Sequence, residues 1–356
     1  MSATMAADAA APSAPSLTVR SNVAPGEIDT WVRSRSAATG YHLTGWQDVI
    51  QRVFGHETKC LAATHGETIV GVLPLVFFRS RLFGRFAVSM PFLNYGGVVA
   101  DSSDAGKALL DVAIDETRSR GGSHLELRHT ARMFSELPPK YHKVAMRLPL
   151  AADAERQWAL LDRKVRNQVR KGDKSGLAVV HGGGELVDDF YTVFAHNMRD
   201  LGTPVYGKAF FTQVVRTFPE TSRVFVVHHQ GRPVAASLLY WHGTMIEVPW
   251  ASALRDSNSL CANVFLYWHM LKFSVERGFG VFDFGRSTPN EGTFHFKRQW
   301  GAEPLDLVWE YWNAAGAPPL ELNPKNPKFD LAIKMWQRLP VGVATALGPQ
   351  IIRNIP

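Results

Sequence analysis

The chain has 356 residues, 46% of them apolar and 20% charged, a globular balance with length for about two domains. Two cysteines, Cys60 and Cys261, exclude a disulfide framework and a cysteine metal site. A formal charge of +7 favours an anionic partner such as phosphate, nucleic acid or an acidic membrane face.

Residues 1–16 are Ala/Pro/Ser-rich, lack a basic segment followed by an apolar one, and read as a disordered tail rather than a secretory signal. A first α/β unit is expected over 17–150. It opens with a helix bearing Trp46, Val49 and Ile50, then a strand pair turning at Gly66. The longest apolar run, Ile69 to Phe78, is about half a membrane span and contains a Pro, so no integral span is expected. The turn Asn94-Tyr95-Gly96-Gly97 either closes a hairpin or lets backbone approach a ligand. The helix-like "AGKALLDVAIDETRS" then leads through a glycine turn into the strand "SHLELR".

A second unit is expected over 151–312. Near its start, Arg163, Arg166, Asn167, Arg170 and Lys174 fall on one helical face, with Lys164 and Lys171 beside it. Cations at that density repel one another unless an anion compensates, which gives either a phosphate site or a solvated surface. "VVHGGGEL" reads as a connector, and with no G-x-S-x-G in the chain a serine hydrolase is not expected. Tyr206 stands in a Gly/Pro-punctuated loop, as a pocket residue or a domain-edge contact.

Laid on itself, the chain aligns Tyr41, Trp46, Val49 and Ile50 with Tyr206, Phe211, Val214 and Val215. "GETIVGVLPLV" falls on "GRPVAASLLYW", and "RGGSHLELR" on "RGFGVFDFG". Two units of one α/β design follow from that order of helix, strand pair, helix, glycine turn and strand.

"GVFDFG" alternates as a strand does, with Phe282 and Phe284 on one face and Asp283 on the other. Asp-Phe-Gly is also the magnesium-binding tripeptide of protein kinases, but the Gly-rich loop, strand lysine and H-R-D segment that a kinase needs are missing. Downstream, Lys297 sits among Phe294, Phe296 and Trp300. A lysine so placed is partly dehydrated and suited to hold developing negative charge. The same residues also suit an Asp283–Lys297 or Asp283–Arg286 ion pair that merely fixes the loop. No H-E-x-x-H or compact His/Asp cluster suggests a metal. Residues 313–356 form a tail with a helix at "PKFDLAIKMWQRL", expected to pack on the first unit, and its Trp336, Arg338 and Arg353 also suit a membrane surface.

From Ala251-Ser252 through Trp268, Gly278, Phe282-Asp283-Phe284-Gly285, Phe296-Lys297 and Trp300-Gly301, the second unit resembles the second domain of FemAB-type proteins, as does the Arg-Asn-x-x-Arg-Lys core of its basic helix. More narrowly it is similar to the FemAB-like proteins associated with PEP-CTERM/exosortase and exopolysaccharide systems. The resemblance implies an α/β fold of two tandem GNAT-like domains, mixed sheets flanked by helices. It implies acyl or aminoacyl transfer to an amine of an anionic glycan- or lipid-linked acceptor. The donor is acyl-CoA or aminoacyl-tRNA as co-substrate, with no tightly bound cofactor. Lys297 would stabilise the oxyanion or leaving group. Asp283 would orient Lys297 or the loop, or accept a proton. Lys164, Arg166, Asn167, Arg170 and Lys171 would bind phosphates, with Asn94, Tyr95, Tyr206, Trp268, Arg286 and Phe294 completing the substrate site. The location implied is cytoplasmic, with peripheral contact at the inner membrane face. The long helical arm of better-known members has no counterpart here, and the second unit lacks the usual CoA pyrophosphate loop. A partial match, Arg118-x-x-Gly121-x-Ser123, lies after a helix instead of opening one. A non-enzymatic RNA- or membrane-binding protein using the basic face is the alternative.

Overall fold

Two glycine turns set the frame. Gly66 (φ +59°) and Gly231 (φ +78°) occupy left-handed backbone that other residues rarely adopt, and each reverses one strand into the next. The computed structural model describes residues 16–80, 83–315 and 330–355. The first half runs β1 (Leu17–Arg20), α1 (Pro25–Arg33), α2 (Gly45–Phe54), β2 (Glu57–His65), β3 (Thr68–Ser80), β4 (Gly84–Val88), β5 (Val99–Ala100), α3 (Ser103–Ser119), β6 (His124–His129) and β7 (Pro139–Pro149). The second runs α4 (Ala154–Leu160), α5 (Arg163–Lys174), β8 (Leu177–Gly182), α6 (Val187–Leu201), α7 (Lys208–Thr217), β9 (Ser222–His229), β10 (Arg232–His242), β11 (Met245–Ala253), α8 (Ala262–Glu276), β12 (Val281–Ser287), α9 (Gly292–Arg298) and β13 (Glu303–Asn313). Helices α10 (Asp330–Gln337) and α11 (Val341–Ile352) follow. The tail assigned to residues 1–16 falls, but for Ser16, outside the described residues.

The aligned segments form matching elements: α2 with α7, β2–β3 with β9–β10, α3 with α8, and β6 with β12. The two halves do not keep separate sheets. Strand order is β1-β2-β3-β4-β6-β13-β7-β12-β11-β10-β9-β8, with β5 on β3. The closing strands are exchanged: β13 pairs antiparallel with β6 of the first half, and β7 with β12 of the second. Among the described residues each half contains one parallel pair, β4–β6 and β11–β12.

Strand alternation gives the sheet two apolar faces. Val224, Val226, Ala236 and Leu238 face α2, α6 and α7, while Phe225, Val227, Ala235 and Leu239 face α5 and α8. In the first half Leu61, Leu73 and Leu125 turn to α3. The α2/α7 side is a shared core: Trp46 lies 4.8 Å from Phe218 and 5.0 Å from Tyr240 between ring centroids. Tyr240 donates to Gly40 O at 3.0 Å, and a Cβ on Gly40 would stand 2.5 Å from that ring. The tail helices lie mainly on α6 of the second half, where Arg199 donates to Leu339 O (2.7 Å). Among the described residues the last turn reaches the first half through Arg353 Nη2 to Phe54 O (2.8 Å) and His56 to Arg353 O (2.7 Å).

Candidate active site at the seam of the two halves

β11 and β12 pair in parallel at Met245/Val281, Ile246/Phe282 and Glu247/Asp283, and the pairing ends there. Because Phe282 and Phe284 face the α8 core, Asp283 faces the other way and meets Glu247 from the neighbouring strand. Both carboxylates are buried. Gly285 follows with φ +75°, and a Cβ there would lie 2.7 Å from Val248 O, so only glycine fits.

Every oxygen of this pair has a donor. Gly285 N–H donates to Asp283 Oδ1 (2.8 Å) and Arg147 Nε to Asp283 Oδ2 (3.0 Å). Tyr95 donates its hydroxyl to Glu247 Oε2 (3.0 Å) and lies 3.4 Å from Asp283 Oδ2. Asn94 Nδ2 donates to Glu247 Oε1. Burial, then the charge of Asp283, pushes Glu247 up to about 8.

Lys297 projects from α9 onto the same strand end, and the residue is 7% exposed. Its Nζ donates to Gly285 O and Arg286 O, both at 3.0 Å. Burial pulls the ammonium down to about 8, against the opposing charges of Asp283 and Glu247. An ammonium has three donors, so one N–H is left for an incoming oxygen.

A second group of charges adjoins the first. Arg128 and Arg286 lie over the Trp309 ring at 4.2 and 5.3 Å. Arg128 is tied to Glu126 Oε1 (2.7 Å) and Leu93 O (3.2 Å), whereas Arg286 Nη1 is buried without a partner. Burial and then the like charge of Arg128 lower Arg286 to about 10. Tyr206 lies in the field of both guanidiniums and packs on Phe54, Phe92 and Phe210.

The structure thus gathers Lys297, Asp283, Asn94, Tyr95, Arg286 and Tyr206 at one seam. It corrects the expected ion pairs. Asp283 binds neither Lys297 nor Arg286 but Arg147, delivered by the exchanged strand β7. Phe294 is half-buried one turn before Lys297. Trp268 stands apart, edge-on to Trp158 at 4.6 Å, and Arg170 lies over the Trp158 ring at 5.5 Å. The basic helix α5 packs through Val165, Val169 and Gly172. Among the described residues no hydrogen bond or ion pair links Lys164, Arg166, Asn167, Arg170 or Lys171 to the Lys297 group. Among the described residues none of these cations has an acidic partner, and Arg166 Nε is buried without a hydrogen-bond partner.

Sequence reasoning missed Glu247, Arg147 and Arg128. Glu247 had a local signal: a lone carboxylate in the apolar run "MIEVPW" is buried by strand alternation and must be partnered. Arg147 had none, because its partner Asp283 comes from pairing distant in sequence; Arg128 shares a strand face with its partner Glu126, but the Trp309 and Arg286 beside it are distant in sequence. Among the described residues no group of three or more His, Cys, Asp or Glu could hold a metal, and no helix is long and apolar enough to cross a membrane.

Residues 161–298 match the family described as Acetyltransferase (GNAT) domain. The crystal structure of FemX superposes with a TM-score of 0.68 at 14% identity, over 82% of this chain and 96% of that one. A tandem GNAT protein from the clavulanic acid biosynthesis pathway superposes with a TM-score of 0.54 at 11% identity, over 86% of this chain and 100% of that one. The fold is a tandem GNAT fold. The C-terminal domain of a putative lysylphosphatidylglycerol synthetase from Agrobacterium fabrum shares it (TM-score 0.55, 12% identity, 82% and 93% coverage). No curated protein matches the chain. In the second GNAT unit the parallel pairing of β11 and β12 ends at Glu247 and Asp283, and the seam group stands at that end.

Proposed function

We propose that the chain is an N-acyltransferase of the FemAB type. It moves an acyl or aminoacyl group from a thioester or ester donor to an amine of an anionic, glycan- or lipid-linked acceptor in envelope or exopolysaccharide metabolism. The observation that carries this reading is Lys297: a dehydrated ammonium with two donors fixed on backbone carbonyls and one free. The GNAT match over the unit that contains it supports acyl transfer, and acyl-CoA is the co-substrate GNAT domains use. The likeness in fold to FemX and to the lysylphosphatidylglycerol synthetase domain supports an aminoacyl ester as the other donor.

The acceptor amine attacks the donor carbonyl, a C–N bond forms, and the carbonyl electron pair moves to oxygen. The free N–H of Lys297 holds that oxyanion. Collapse expels the thiolate or ribose oxygen. Glu247, reached through the Tyr95 hydroxyl, takes the proton the amine must lose. Asp283 holds Arg147 and the Gly285 turn, and so acts on the position of Lys297 and not on the proton. Arg286, with its open Nη1, and the unpaired cations of α5 bind substrate phosphates.

The test is donor turnover by the full chain, read as free thiol from acyl-CoAs and as deacylation of aminoacyl-tRNA, each with an extract of envelope precursors, with products weighed by mass spectrometry. Lys297→Met is expected to lose about 10²–10³-fold in kcat, the cost of removing one oxyanion donor, with its circular dichroism unchanged. Equal turnover by the variant removes Lys297 from the chemistry.

A further inference from the structure

A helix that is apolar all round belongs inside a core. The α11 sequence, VGVATALGPQII, contains no charged residue. Its inner side buries Ala344, Gly348 and Ile352, with Gly348 against the backbone of Val205. Its outer side leaves Val343, Leu347 and Ile351, four residues apart in turn, 41%, 48% and 38% exposed. On α10, Leu331 and Met335 are 69% and 62% exposed, and Leu201 stands at the end of α6 where Gly202 meets Ile333. Six of the eleven large apolar side chains exposed among the described residues therefore fall on α10, α11 and the end of α6, the helix on which both pack, a concentration that marks an interaction surface.

The charges of the patch say what covers it. Lys334 and Arg338 are exposed and share a helical face with Leu331 and Met335, at positions i, i+3, i+4 and i+7. From Asp330 to Pro356 the sequence has three cations against one acidic residue, Asp330 at the start of α10, so the charge is net positive. A second copy of the same face would bring like charges together. At the far end of α11 a cleft of about 810 Å³ opens between Gln350, Arg353 and Asn354 on one side and His56, Glu57 and Arg79 on the other, with two guanidiniums and one carboxylate in its wall.

We infer that α10 and α11 dock on an anionic phospholipid surface, with Leu331, Met335, Val343, Leu347 and Ile351 entering the boundary of headgroups and acyl chains. Lys334 and Arg338 meet the headgroup phosphates, and the Arg79/Arg353 cleft at the edge takes one headgroup. Apolar burial and anionic attraction add in such binding. The inference goes beyond acyl transfer and is read without turnover, so either can fail alone.

The experiment is flotation of the full chain with vesicles of equimolar phosphatidylcholine and phosphatidylglycerol, and with phosphatidylcholine alone. Binding is expected to the anionic vesicles and about tenfold weaker to the neutral ones, with added salt reducing but not abolishing it. The double variant Met335→Glu/Leu347→Glu, at exposed positions where melting should be unchanged, is expected to bind at least about tenfold more weakly. Lys334→Ser/Arg338→Ser should lose the preference for phosphatidylglycerol. Failure to float with anionic vesicles, or equal flotation by the Glu variant, overturns the inference. So does a dimer in sedimentation velocity that the Glu variant disperses without any vesicle binding, which assigns the face to a second copy.

Discussion

Lys297 and Glu247 face a common constraint: both are buried, and burial disfavours the charged form of each. The lysine is therefore drawn down to about 8 and the glutamate driven up to about 8. The proposed chemistry needs the ammonium of one and the carboxylate of the other. Below about 8 Glu247 holds its proton and cannot accept another; above about 8 Lys297 loses the charge that holds the oxyanion. The rate is expected to rise with pH to a maximum near 8 and fall beyond it, measured as kcat/KM for donor turnover across the neutral to alkaline range. Because the two groups interact, the limbs belong to the pair. Glu247→Gln should lower the maximum by about 10²-fold and flatten the acid limb, leaving the alkaline fall. An acid limb unchanged in that variant assigns the base elsewhere.

At the scale of elements, the seam depends on strand exchange. β7 leaves the first half to pair with β12, and brings Arg147 opposite Asp283. The Asp283 side chain is fully buried and that of Arg147 is 28% exposed, so the ion pair is sheltered. Arg147→Met strands a buried carboxylate and is expected to cost about 3 kcal/mol in urea unfolding. Adding Asp283→Asn should recover part of that loss, and a double-mutant cycle with no coupling would break the argument. The same exchange explains what could be read from the sequence. Alternation in "GVFDFG" put Asp283 opposite its two phenylalanines, and the aligned glycine turns gave the repeat of β2–β3 in β9–β10. Asn94, Tyr95 and Lys297 were legible from a glycine-flanked turn and an aromatic setting. Arg147 was not, because alternation fixes which face a side chain takes but not which strand lies beside it. Arg128 shows this too: it occupies the repeat position of Gly285, where the backbone of Val248 leaves no room for a side chain.

At the scale of the whole molecule, the exchange makes the halves interdependent. The GNAT match ends at residue 298, before β13, and begins after β7. Neither exchanged strand lies within it. A fragment of residues 151–356 would keep α5 to β13 but lack β7, which in the full chain bonds β12 on one side and β13 on the other. Its two strands would face a gap, each with unpaired backbone groups, and such edges promote aggregation. The fragment of residues 1–150 would keep β7 with no partner for either edge, and would leave β6 without β13. The core shared by Trp46, Phe218, Tyr240 and Trp250 would be opened as well. The full chain should therefore unfold in one calorimetric transition, with equal calorimetric and van't Hoff enthalpies, despite its duplicated design. Each fragment expressed alone should be insoluble or lack near-ultraviolet circular dichroism, and co-expression should restore a soluble one-to-one complex. A soluble, monomeric 151–356 fragment with a cooperative melt would show that the second GNAT unit closes its sheet without β7, and that Arg147 is dispensable to its fold.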